Sequence, residues 1–237
     1  MNDHTAEAEE ESLKLVYDIR EALCSTLTAL EGKPNPGYSF TYIYFLAGYL
    51  NRAADGFVLL RTNGRIDSSK LLIRPAIEAM FRLTAVLLKP DLFYRVAYGE
   101  HEEDLKLLRQ ASRHASTKFD ENALVKQWSE FSAKYKAEFP QSSASCNRLS
   151  LEEAAINANM SGYYDAYYRM YCRYQHVALR AVGRTLDELT DAQDNRAIAL
   201  CIFAALESLT ALGAPSPSNF DSLRDRLKPP STEPTAA

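Results

Sequence analysis

Residues 70–90 read Lys70-Leu-Leu-Ile-Arg74-Pro-Ala-Ile-Glu78-Ala-Met-Phe-Arg82-Leu-Thr-Ala-Val-Leu-Leu-Lys-Pro90. The apolar residues Leu71, Leu72, Ile73, Ile77, Met80, Phe81, Leu83, Val86 and Leu87 recur at helical spacing. A helix this apolar is buried against others. Within it, Arg74, Glu78 and Arg82 stand at i, i+4 and i+8. Charge in such surroundings is costly unless each group is paired. Two readings are open. One is an internal Arg74–Glu78 salt bridge that fixes helix register; the other is a polar cluster lining a cleft. With Asp67 or Ser68 as cap, the helix starts near Ser68. Pro75 then leaves the carbonyl of Leu71 without its amide and kinks the helix, which favours the cleft.

Outward from this segment the chain reads as helix after helix. Leu13, Val16, Tyr17, Ile19, Leu23, Leu27 and Leu30 mark a first helix from Glu9 to Leu30, stopped by Gly32-Lys-Pro-Asn-Pro-Gly37. A second runs from Ser39 to Arg61 and turns at Asn63-Gly64. Pro90-Asp91 opens a fourth, to His114, and a fifth spans Glu121 to Phe139. After a polar loop, Pro140 to Asn147, Ser150 and Glu153 form a capping-box pattern for a short sixth helix. Ser161 or Gly162 opens a tyrosine-rich seventh, to Val182, and Asp191 opens an eighth that ends at Gly213. No segment alternates like a strand. The expected fold is all-α: a single bundle of about seven to nine helices over residues 9–227. An acidic tip (1–8) and a Pro/Ser/Thr/Ala-rich tail (228–237) are expected to be disordered.

Composition excludes several classes. The chain has 237 residues, 46% hydrophobic, with a net charge of −4. Residues 1–12 contribute −5 through Asp3, Glu7, Glu9, Glu10 and Glu11, so the rest is near neutral. That body lacks the basic signature of a duplex-DNA binder. The acidic start does not read as a secretory signal. No membrane span is expected, because Arg74, Glu78 and Arg82 interrupt one apolar run and Glu207 closes the other. Cys24, Cys146, Cys172 and Cys201 are widely spaced, which suits reduced thiols in a cytoplasmic protein. No Glu-x-x-His, HExxH, GxSxG or P-loop is present, so neither a metal nor a cofactor is expected.

The tyrosine excess, 14 Tyr against 1 Trp, concentrates in the seventh helix. On a 100° wheel Asp165, Arg169, Cys172, Arg173 and Arg180 fall within about 60° of His176. Tyr163, Tyr167, Tyr171 and Tyr174 fall opposite, as a core-packing face whose hydroxyls need partners. The polar stripe is either a groove or interface, or a solvated face with pairs such as Asp165–Arg169. A basic run, Lys106, Arg109, Arg113, His114 and Lys118, is a second contact surface or a solvated face.

The segment Lys70 to Glu78, with Phe81-Arg-Leu and Leu87-Leu-Lys-Pro90, resembles the R-x3-E helix of the DUF5677-type family of bacterial proteins. Tyr164-Asp-Ala-Tyr-Tyr168-Arg-Met-Tyr-Cys-Arg-Tyr-Gln-His176 resembles that family's Tyr-rich helix ending in histidine, across about residues 40–210. Cys172 replaces a small serine common four residues before the histidine, and Gln175 precedes it. The family in turn resembles HEPN helical proteins, many of them metal-independent RNases in toxin and phage-defence systems. Their Arg-x4–6-His signature matches the spacing of Arg169 and His176, with Met170 in its polar position. The resemblance implies an HEPN-like core, a homodimer and RNA as partner. His176 would act as general base or acid, Arg169 or Arg173 would hold the phosphate, and Glu78 and Arg74 would orient His176. The other reading is a non-catalytic homodimeric interaction module whose Arg/Glu/His cluster is structural.

Overall fold

Ile73, Ala76, Ile77, Met80 and Phe81 are fully buried, and their i, i+3, i+4, i+7, i+8 spacing lays one helix face on the core. The computed structural model describes residues 3–33, 37–114, 120–139, 147–175 and 191–228. Its elements are α1 (Asp3–Leu30), α2 (Tyr38–Thr62), α3 (Ile66–Lys70), α4 (Ile73–Leu88), α5 (Leu92–His114) and α6 (Glu121–Glu138). There follow α7 (Leu151–Asn157), α8 (Ser161–Tyr163), a π-helical turn (Tyr164–Tyr168), α9 (Arg169–Gln175), α10 (Asp191–Ala211) and α11 (Phe220–Leu227). Among the described residues there is no strand, so the fold is the all-α bundle read from periodicity.

Helix α10 is the axis. Ile198, Ala199, Cys201, Ile202, Ala205 and Leu206 bury it on all sides, as expected of a helix without a polar face. It packs on α1, α2 and α4, and α4 packs in turn on α2 and α7. Helices α5 and α6 form a side hairpin held by rings: Tyr94 lies 5.5 Å from Trp128 and 5.3 Å from Tyr135, centroid to centroid. The short α7 is fixed as its sequence implied. Ser150 Oγ accepts from Glu153 N, and Glu153 Oε2 accepts from Ser150 N.

Three features depart from expectation. Helix α1 starts at Asp3 rather than Glu9, so the described part of the acidic tip continues it. Helix α11 was not anticipated; it buries Leu223 and ties Arg226 to Asp18 at 2.6 Å. The third helix does not run through Pro75 with a kink. The chain breaks at Leu71–Leu72 and restarts at Ile73, which places Pro75 in the first turn of α4, where no amide hydrogen is required. Upstream, Gly64 at φ 69° lets the chain reverse after α2, and Arg65 N donates to Leu60 O at 2.8 Å. The break points Lys70 and Arg74 at different neighbours. The expected loop at 140–146, the helix extension to Val182 and the tail from 229 lie outside the described residues.

Phe81 is fully buried and meets the rings of Tyr163, Tyr164 and Tyr168 at 6.2–6.4 Å. Phe81→Ala should therefore destabilise the fold by about 3–5 kcal/mol in urea denaturation. A loss below about 1 kcal/mol would contradict this packing.

Candidate functional site

Arg74 and Glu78 share the partly exposed side of α4 and form a pair, Nε to Oε1, at 3.0 Å. Their side chains are 20% and 27% exposed, so water solvates neither fully. Tyr168 closes the cluster. Its hydroxyl donates to Glu78 Oε1 at 3.1 Å and accepts from Arg74 Nη2 at 3.3 Å. The Arg74 guanidinium also lies 5.5 Å from the Tyr168 ring centroid. Burial, a hydrogen bond with Cys172 and the Glu78 charge all push the Tyr168 hydroxyl far above the usual phenol range. Tyr49 of α2 borders the same cluster; burial, then the Glu78 carboxylate, raises its pKa.

The π-helical turn explains how Tyr168 arrives there. Its wider winding advances each residue by less than an α-helix does, so the 100° wheel fails across Tyr164–Tyr168. Tyr168 therefore turns inward. Tyr163 and Tyr167, on the expected core face, are half-buried and stack at 4.6 Å. Tyr171 is fully buried, as that face required. Asp165 and Arg169 pair at 3.3 Å with both side chains more than 60% exposed. The Arg169 guanidinium lies over the Tyr164 ring at 5.6 Å. The side chain of Arg173 and all of His176 lie outside the described residues. On the basic run, Lys106 pairs with Glu103 and Arg109 with Glu121, both near the surface.

A second cluster escaped the sequence reading. Asp194, in the first turns of α10, is fully buried. Its Oδ2 accepts from Arg61 Nη2 at 2.7 Å and lies 3.5 Å from Lys70 Nζ. Its Oδ1 accepts from the Tyr171 hydroxyl at 2.7 Å. Arg61 Nη1 reaches Asp191 Oδ1 at 2.7 Å, and the guanidinium sits 5.1 Å from the Phe57 ring centroid. The network joins α2, α3, α9 and α10. The only signals for it were a lone Arg after the apolar run of α2 and two aspartates opening α10.

Among the described residues no group of three or more His, Cys, Asp or Glu is arranged to hold a metal ion. Nor is any described helix long and apolar enough to cross a membrane. The described thiols Cys24, Cys172 and Cys201 are free, and burial holds Cys201 far above the usual thiol range. A family model described as a family of unknown function, DUF5677, matches residues 40–194. The chain belongs to the DUF5677 family. No curated protein and no solved structure matches it. The DUF5677 match runs from α2 to Asp194 and so contains both polar clusters whole. Helix α1 and most of α10 lie outside the DUF5677 match, yet they form much of the core.

Asp194→Asn would remove one anion from between two buried cations. It should cost about 3–5 kcal/mol in urea denaturation. A cost under about 1 kcal/mol would contradict the assigned pairing.

Proposed function

We propose that the protein is an HEPN-like, metal-independent ribonuclease that works as a homodimer, in the manner of toxin and phage-defence helical proteins. One observation carries the reading. The R-x3-E helix and the Tyr-rich segment leading to His176 are joined by hydrogen bonds through Tyr168, across 90 residues of chain. Cleavage needs a base for the 2′-hydroxyl proton and a cation for the phosphorane. His176 takes that proton, the 2′-oxygen bonds to phosphorus, and the P–O5′ bond breaks as an acid protonates the leaving oxygen. Arg169 or Arg173 holds the phosphate oxygens by forked hydrogen bonds. Arg74 and Glu78 orient the histidine from α4, which makes them positioning residues.

A second reading has its own support. Arg74 pairs with Glu78 and Arg169 with Asp165, as in a structural cluster. This is a non-catalytic, homodimeric interaction module. The two readings separate when purified protein meets labelled single-stranded RNA in EDTA, beside His176→Ala. The nuclease reading expects products with 2′,3′-cyclic ends and at least a roughly 100-fold loss in the variant. No cleavage, or equal cleavage by both proteins, removes it and leaves the module.

A further inference from the structure

Helix α2 carries an apolar stripe on its outer side. Phe45 is 66% exposed and Leu59 64%, and Tyr49 and Arg52 are exposed between them. Tyr49, Arg52 and Leu59 fall within about 40° of Phe45 on a helical wheel. Aromatic and leucine side chains set on one face and left in water mark a contact surface. Beside Phe45, α1 and α2 border a cleft of about 310 Å³ whose lining includes Cys24, Leu27, Glu31, Tyr44, Gly48 and Arg52. A second cleft of about 230 Å³ shares Glu31, Tyr44 and Phe45 with it, so the two form one groove along the α1–α2 seam. Glu31 and Arg52 both line the larger cleft, yet neither side chain makes a hydrogen bond or ion pair with any described residue. Gly48 is open to the same side: a Cβ there would touch only Arg52 Nη1, at 3.5 Å.

We infer that this face is where a second copy of the chain docks, α2 against α2 in antiparallel order about a two-fold axis beside Gly48 and Tyr49. The face carries its own complement. Phe45 projects next to the cleft, and a two-fold rotation brings each Phe45 to the other copy's cleft. Phe45 and Arg52 are seven residues apart, about 10.5 Å along the helix, with Gly48 and Tyr49 midway. The rotation therefore sets each Arg52 over the partner's Phe45, within reach of the partner's Glu31 beside it. Both unpaired charges are then matched, twice over, by one symmetry operation. Gly48 lets the two backbones approach where the helices cross. With one unpaired charge of each sign, the larger cleft offers a polyanion no net attraction, and it fits the same cleft turned around. Tyr49, which borders Glu78, carries this seam to the edge of the Arg74–Glu78–Tyr168 cluster. The inference rests on the homodimer of the proposed function and gives it a surface.

Sedimentation velocity of the full chain over a concentration series tests it, with Glu31→Arg, Arg52→Glu and the double variant beside wild type. The surface predicts a dimer in the wild type. It predicts at least about tenfold weaker association in each single variant, where like charges meet, and recovery in the double variant, where the pair is reversed. Both side chains are exposed, so thermal midpoints should stay close to wild type. Association that either single variant keeps, or that the double variant fails to regain, overturns this surface and leaves the homodimer to another face. A wild type that stays monomeric at every concentration removes the surface and the homodimer together. RNA cleavage is read separately: a dimer of this pattern that fails to cleave RNA keeps the surface and removes the nuclease.

Discussion

Charge taken out of water must be paired, and that constraint organises this bundle. Asp194 has no exposed surface, so its carboxylate is stable only with donors brought to it. Arg61 arrives from the end of α2, Lys70 from the end of α3 and Tyr171 from α9. Each donor fixes one helix relative to α10, which is itself the centre of apolar packing. The apolar core supplies cohesion without direction. The carboxylate supplies direction, because its few hydrogen bonds have defined geometry.

The same constraint acts again on α4 at lower burial. Arg74 and Glu78 stand at the edge of the core, and Tyr168 completes their hydrogen bonding. The two clusters are neighbours because the chain breaks between them. Lys70 ends α3 and turns to Asp194, whereas Arg74 begins α4 and turns to Tyr168. A continuous helix through residues 66–88 would not have divided these cations so. The clusters also differ in exposure. Asp194, Arg61 and Lys70 are sealed and read as scaffold, with Asp191 at the cluster's edge 27% exposed. The Arg74 cluster keeps a wet side, and Arg82 farther along α4 faces a cleft of its own.

Much of the architecture was legible in local pattern. Apolar spacing set the long helices, and Ser150 with Glu153 announced a cap that the structure contains. The Arg74–Glu78 pair could be read because its partners lie one turn apart. Other features depended on information that no local window holds. Pro75 permits either a kinked helix or a new start, and tertiary packing chose the start. The wheel for residues 161–176 assumed α-helical winding, so the π turn moved Tyr168 into a role no wheel assigned it. Arg61 and Asp194 are 133 residues apart, and nothing in either segment names the other.

We propose that the Arg74–Glu78–Tyr168 cluster serves chemistry and not only packing. RNA cleavage by Glu78→Gln, measured against wild type at equal folded fraction, tests this most directly. The substitution keeps the side chain's size, removes its charge and turns one acceptor oxygen into an NH2 donor. If the cluster positions the reacting histidine, the cleavage rate falls by about 100-fold while the urea midpoint changes little. Cleavage at the wild-type rate by the folded variant would contradict the claim and return the cluster to a purely structural role.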